Sequence, residues 1–456
     1  MSRGYDQGMG DTRQHIAVIG SGIAGLSCAW LLARRHRVTL IEAAPRLGGH
    51  VNTIAVPTPD GDVPVDTGFI VYNEATYPNL TALLAHLGVA TQPSEMSFAV
   101  SLDEGKLEYA GTDLAGLFAQ RSNLLRPRFW KMLADLLRFY RTAPADLAAS
   151  GDTEITLGDY LTRNRYGAGL RDDHLLPMAA AIWSGGADAL ANYPAASFVR
   201  FCTNHGLLQV SNRPLWRTVT GGSAVYVRKL LEDFPGKIAT STQVQGVRRD
   251  ADGVAVDLGD GEVRRFDQVV LATSAPRALA LLTDAVEAER SLLGTFGGTR
   301  NLAVLHSDPT LMPKRRAVWS SWNYLGRRAP GIDAELCVTY WMNCLQNISG
   351  DTPYFVTLNP PRPPAAGTLW HSEIYEHPVF SPAATQAQRQ LWTLQGLRRT
   401  WYCGAWFGAG FHEDGLQAGL AVAEQLGRVA RPWRVAEPSG RIHVGALPAE
   451  AAEAPT

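Results

Sequence analysis

His15-Ile16-Ala17-Val18-Ile19-Gly20-Ser21-Gly22-Ile23-Ala24-Gly25 is the stretch that decides the fold. A short apolar run suited to a buried parallel strand is followed by three glycines spaced as GxGxxG, and Ala24 to Arg35 continues at helical spacing. Arg37 to Ile41 reads as a second strand, and Glu42 ends it about 20 residues after the turn, where a dinucleotide fold places an acid for a ribose hydroxyl. Glycine permits the tight turn and lets main-chain N–H groups approach a pyrophosphate, whose charge the helix N-terminus favours. The spacing is that of a dinucleotide-binding β-α-β unit and leaves NAD and FAD both open. Ile16 to Ala33 is long enough to raise a membrane span, but its glycines, Ser21 and Ser27 fit strand, turn and helix better.

The chain has 456 residues, 46% of them hydrophobic, enough for two cores and hence two domains. Lysine plus arginine (42) nearly balances aspartate plus glutamate (43), so no basic excess points to nucleic acid. Five cysteines without CxxC spacing argue against zinc and a disulfide framework and for a reducing, cytoplasmic setting. Met1 to Gln14 has no apolar core of a secretion signal and reads as a loose tail, and the Ala/Pro/Glu-rich end, 437–456, reads as a frayed one. Gln243 to Arg249, Gly253 to Leu258 and Glu262 to Leu271 are β-rich runs separated by Asp252-Gly253 and Asp260-Gly261, a hairpin pattern. The third run returns the chain to the parallel sheet. The expected class is α/β: a Rossmann-like parallel sheet with an inserted β-meander and a discontinuous α+β second domain.

Directly after Glu42 stands Ala43-Ala44-Pro45-Arg46-Leu47-Gly48-Gly49-His50-Val51-Asn52-Thr53. It resembles the second FAD motif of the flavoprotein superfamily of amine oxidases, protoporphyrinogen oxidases and phytoene desaturases. Those proteins usually carry arginine at the place of His50, so a pyrophosphate contact there would be weakened or pH-dependent. Val65-Asp66-Thr67-Gly68-Phe69-Ile70-Val71-Tyr72 is similar to the segment beneath the flavin ring. Trp401-Tyr402-Cys403-Gly404-Ala405-Trp406 with Gly410-Phe411-His412-Glu413-Asp414-Gly415-Leu416 resembles the third motif, a strand and a helix aimed at the flavin pyrimidine. The resemblance implies FAD, with Val244 on its adenine, the Glu413 backbone at the flavin carbonyl, and Asp414 and Gly415 beside it. A helix N-terminus there stabilises the charge of reduced flavin. Cys403 reads as core and the covalent-attachment cysteine pattern is missing, so non-covalent FAD is expected.

A closer likeness is to bacterial FAD-dependent proteins associated with cyclopropane-fatty-acid-synthase-like methyltransferases, furan fatty acid desaturase-like in the activity it implies. It is carried by Trp183-Ser184-Gly185, Asn204-His205-Gly206, Arg213-Pro214-Leu215-Trp216, Thr220-Gly221-Gly222-Ser223 with Tyr226, and Gly410 to Gly419. It implies desaturation of a methyl-branched unsaturated fatty acyl chain, with a methyltransferase as partner. An amine or protoporphyrinogen-type oxidase is the enzymatic alternative; a non-catalytic flavin-binding accessory protein is the alternative of another class.

His412, in the flavin-facing turn, is the candidate proton shuttle, with a bond to the helix start as its other reading. Tyr72 is the second catalytic candidate, or else a packing wall. Of Trp183, Trp216, Trp319, Trp322 and Trp341, Trp183 is the one expected to face the pocket and the others to be core. His371, Tyr375 and His377 are too irregularly spaced for a metal. Within 126–141, Phe129, Met132, Leu133, Leu136, Leu137 and Tyr140 share a helical face opposite Arg128, Lys131, Arg138 and Arg141, which suits either a core or an anionic membrane surface. The expected FAD domain comprises 1–90, 215–295 and 395–436, and the substrate domain 91–214 and 296–394.

Overall fold

Runs of Val, Ile and Leu bounded by turn residues build a sheet covered on both faces. His15–Ile19 (β1) lies at the centre of five parallel strands, between Arg37–Ile41 (β2) on one side and Gln268–Leu271 on the other, with Lys237–Ala239 (β3) and Thr400–Tyr402 at the edges. In chain order the last two partners are β4 (Gln268–Leu271) and β5 (Thr400–Tyr402). The computed structural model describes residues 13–150, 155–183, 190–209, 213–259, 261–327 and 337–447. The N-terminal stretch up to Thr12, Ser184 and Gly185, Asp260 between the second and third β-rich runs and the last stretch, 448–456, lie outside the described residues.

The meander is present as three antiparallel strands, Gly246–Asp250, Gly253–Asp257 and Val263–Phe266. The run expected to extend unbroken to Leu271 divides at Asp267, whose carboxylate accepts the His15 N–H at 2.6 Å, and β4 then joins the parallel sheet. Ile23–Leu32 (α1) is buried along its whole length and packs against His412–Gly427, a helix at the far end of the chain. A Cβ on Gly25 would lie 1.9 Å from the Gly20 carbonyl oxygen, and one on Gly419 would lie 2.2 Å from that of Ala24. Only glycine allows these approaches.

A seven-stranded sheet runs in the order Leu369–Val379, Gly297–His306, Phe355–Leu358, Cys337–Trp341, Trp322–Gly326, Phe98–Leu102, Leu107–Ala110. All its neighbours are antiparallel except Trp322–Gly326 with Phe98–Leu102. The remaining helices used below are α2 (Pro78–His86), α3 (Pro127–Ser150), α4 (Ala195–Asn204) and α5 (His412–Gly427). One core surrounds the parallel sheet (Ile16, Trp30, Leu40, Val270, Leu420) and a second joins α3 and α4 to the larger sheet (Phe129, Phe139, Phe198, Val338, Val356).

One expectation is corrected. The stretch from Glu437 is tied down as far as it is described: Ile442 is buried, the Arg441 N–H donates to Gln417 Oε1 at 3.0 Å, and the Arg441 guanidinium grips Asp414 at 2.6 Å. Composition suggested fraying, but one buried arginine is enough to fix a strap. In α3, Phe129 and Met132 belong to the core, while Arg128 pairs with Asp173 and Lys131 and Arg138 share Asp135. The apolar face read from the sequence is thus divided, with Phe129 and Met132 in the core and Leu137 49% exposed. Among the described residues no helix is long and apolar enough to cross a membrane.

Candidate active site

Gly22 precedes α1 in extended conformation, no side chain caps the helix, and its first turn carries no acid. A Cβ on Gly22 would meet no atom within 4 Å. Uncapped N–H groups thus head a helix beside open space, the arrangement that receives a pyrophosphate. The paired glycines close the cradle: the Gly48 N–H donates to the Ser21 carbonyl at 3.1 Å, and Gly49 stands against Gly22. Glu42 ends β2 with its carboxylate accepting from Ser21 N (2.8 Å), Ser21 Oγ (2.6 Å) and Ala44 N (2.9 Å), which orders the turn through Ala43. The Thr242 N–H donates to the Glu42 carbonyl at 2.9 Å and brings buried Val244 to the same end. Open space, free N–H groups and a ribose-side acid fit an adenine dinucleotide.

His50 faces the other sheet, its ring 5.1 Å from that of Tyr375 and 5.3 Å from that of His377. Burial, helped by the Arg46 charge, holds its pKa below the ordinary value. Arg46 steadies the turn instead, donating to the Gly49 carbonyl at 2.7 Å.

At the flavin end, the Phe69 N–H donates to the His50 carbonyl at 2.8 Å, and Thr67 Oγ1 lies 2.8 Å from the Tyr375 hydroxyl. A Cβ on Gly68 would come within 2.1 Å of the His50 carbonyl oxygen, so this approach too needs glycine. Beyond Gly404 the chain enters α5, whose Gly415 lies against Ile23, so the N-termini of α1 and α5 converge. Both acids of the α5 start turn aside. Glu413 accepts from Asn79 N (3.0 Å) and Leu80 N (2.9 Å) at the start of α2, and burial raises its pKa. Asp414 accepts from Phe411 N (2.8 Å) and from Arg441.

His412 stacks on Phe69, ring centroids 3.9 Å apart, with Nε2 2.6 Å from the Tyr226 hydroxyl. Burial pushes its pKa down to about 3. The expectation that it titrates near neutrality is corrected: desolvation keeps it uncharged.

Beside this end lies a cavity of about 240 Å³. Phe69, Ile70 and His412 line it with Tyr77, Trp216, Trp322 and Phe411; none of its lining residues is an acid, and Arg213 alone among them carries a permanent charge. Tyr72 is not in the lining. It is buried in the core around the parallel sheet, and its neighbour Tyr77, 6.2 Å away, takes the cavity position. Trp183 stands behind Phe201 (4.7 Å) and Phe411 (6.1 Å), so the cavity tryptophans are Trp216 and Trp322.

His205, at the end of α4, is the residue that sequence reasoning passed over as a chemical group. It is buried, lines the cavity, and donates from Nδ1 to the Phe201 carbonyl at 2.9 Å. That bond fixes the tautomer and leaves Nε2 as the unprotonated nitrogen, with no partner among the described residues. Burial, with the Arg441 charge adding to it, pushes its pKa down to about 3. The signal was Asn204-His205-Gly206, where Gly206 turns the chain at φ +66°.

Residues 23–307, more than half of the chain, match the family described as flavin containing amine oxidoreductase. In sequence, the chain is similar to the tRNA 5-methylaminomethyl-2-thiouridine biosynthesis bifunctional protein of Acinetobacter baylyi, 56% identical over 50 residues, 10% of this chain and 8% of that one. The chain spans only between 8% and 36% of the length of the curated relatives it matches. In structure, it is similar to putrescine oxidase (TM-score 0.65, 14% identity, 91% of this chain and 98% of that chain). It is also similar to a fatty acid isomerase of P. acnes that produces CLA (TM-score 0.62, 16% identity, 91% and 98%). At these identities the structural likeness establishes the fold alone. With the family match and the cradle that fits its cofactor, the chain belongs to the flavin-containing amine oxidoreductases.

Proposed function

We propose that the protein dehydrogenates a lipid-like substrate, specifically a methyl-branched unsaturated fatty acyl chain, using FAD bound without a covalent link. The observation that carries this reading is the cavity, with aromatic and aliphatic walls, no acid, and Arg213 as its one permanent charge. A protonated amine entering it would lose hydration and meet a like charge. An acyl chain would bury its methylenes in the walls and leave an anionic head near Arg213. The fatty acid isomerase among the structural neighbours agrees with that substrate class.

Gly20 to Gly25 with Gly48 and Gly49 would hold the pyrophosphate, Glu42 the ribose and Val244 the adenine. Thr67 to Ile70, Gly404 and the start of α5 would hold the ring, with Cys403 packed against Cys28 in the core rather than available for attachment. Bound FAD supplies a hydride acceptor. The walls would exclude water, and an alkene next to the reacting carbon would delocalise positive charge developing there. Neutral His205 Nε2, though a weak base, would be placed to take the proton from the neighbouring, then strongly acidic, C–H. His412, uncharged and bonded to Tyr226, holds Phe69 in place. The methyl branch calls for a prior methyl transfer, hence a methyltransferase partner, and the five unpaired cysteines suit a reducing cytoplasm, at the inner face of a membrane.

Anaerobic titration of the FAD-loaded protein with an unsaturated fatty acid and with the primary amine of equal chain length tests the choice. Bleaching of the flavin by the acid and not by the amine is expected; bleaching by the amine alone contradicts the proposal.

A further inference from the structure

The outer face of α3 and the turn before it carry large apolar side chains that stay exposed among the described residues. Leu125 is 86% exposed, and Leu124, Trp130 and Leu137 are each 49% exposed. Trp130 and Leu137 are two helical turns apart and share a face with exposed Ala134 and Arg141. The indole is held outward: its Nε1 donates to the Leu124 carbonyl at 2.9 Å, and its ring contacts Phe118 at 5.3 Å. Single exposed leucines are ordinary, whereas a group of this size on adjoining turns marks a contact surface.

Charge identifies the occupant. From Arg121 to Arg141 there are six basic residues and one acid, Asp135, in a chain of net charge −1. Asp173 and Asp135 answer Arg128, Lys131 and Arg138, while Arg121, Arg126 and Arg141 have no acidic partner among the described residues. Leucine and tryptophan set among unpaired arginines complement hydrocarbon beneath a layer of anionic headgroups; a nucleic acid would answer the arginines and leave the leucines in water. The helix that bears this surface is joined to an element of the cavity wall. α3 packs on α4, which leads into His205 and exposed Arg213, and the Arg213 charge is close enough to act on the Tyr140 hydroxyl of α3.

We infer that the turn Arg121–Leu125 and the outer face of α3 seat the protein on an anionic lipid surface, with Leu124, Leu125, Trp130 and Leu137 entering the interface and the cavity opening beside it. The inference rests on the acyl-chain reading of the cavity for its purpose, and on exposed side chains and unpaired charge for its existence.

Flotation of the FAD-loaded protein with vesicles of phosphatidylcholine alone, and of phosphatidylcholine mixed with phosphatidylglycerol, is the test. Binding to the mixed vesicles is expected, weakened about tenfold or more by Leu125→Glu or by Trp130→Glu and clearly weakened by Arg121→Glu. Equal binding to both vesicles, or binding that these substitutions leave unchanged, overturns the inference, as does failure to bind at all. Leu125→Glu alters a side chain that packs on little, so its flavin absorbance and melting temperature should match the parent. Flavin bleaching by a detergent-dispersed acyl chain reads the substrate assignment separately. Vesicle binding without bleaching removes the substrate and keeps the surface; bleaching without binding does the reverse.

Discussion

His205 is bonded at one ring nitrogen and, among the described residues, without a partner at the other, in a cavity whose remaining histidines and tyrosines mostly find partners within the protein. If it takes the proton, His205→Ala should keep its FAD but bleach about 100-fold more slowly in a single anaerobic turnover. Added imidazole should restore part of the rate in that variant, because the substitution opens room for it; a merely structural histidine would not be rescued. An unchanged rate would place the proton acceptor elsewhere. At this scale the sequence was least informative. The cavity wall is assembled from Phe69, His205, Trp216, Trp322 and Phe411, each on a different segment, and local periodicity cannot say which side of a buried helix or strand faces an internal space. Trp183 and Tyr72 were reasonable expectations one layer too deep.

At the scale of elements, the cofactor site is two helix N-termini brought together, with glycines wherever another backbone comes too near for a Cβ. Such glycines are legible where no other residue fits, as at Gly20, Gly25 and Gly68, which is why the glycine-rich segments pointed to the proposed site. The strap that secures α5 was not legible: an Ala/Pro/Glu-rich end reads as loose, and its one structural residue, Arg441, finds Asp414 only in the folded chain. Arg441→Leu should leave the fully buried Asp414 carboxylate unpaired and cost about 3–5 kcal/mol in urea unfolding of the apoprotein, with weaker FAD binding. Adding Asp414→Asn should recover part of that loss. Simple addition of the two single losses would show that the pair is not coupled.

For the whole molecule, the class of fold and the dinucleotide half followed from pattern, since parallel strands buried on both faces read as continuous apolar runs. The seven-stranded sheet was less visible, because its strands come from segments far apart in the chain. Its packing has a measurable consequence in acid. Burial pushes His205, His377 and His412 down to about 3 and His174 and His306 down to about 4. Below about pH 6.5 the unfolded chain binds protons these residues refuse, so each contributes stability that is full above that pH and lost by about tenfold per pH unit beneath it. Asp66, raised to about 6 by burial, acts in the opposite direction, its destabilising effect easing as pH falls below 6. The lowered histidines, His50 among them, outnumber the raised carboxylates Asp66 and Glu413, which predicts a melting temperature that drops from pH 6.5 to 5; a flat profile would mean that the histidines are not held neutral.

The most direct measurement mixes the FAD-loaded protein anaerobically with phospholipid bearing methyl-branched unsaturated chains and follows flavin absorbance and acyl-chain mass together. A loss of two hydrogens for each flavin bleached is the predicted result, and an oxidised flavin with the chain mass unchanged would contradict the assignment of an acyl-chain dehydrogenase.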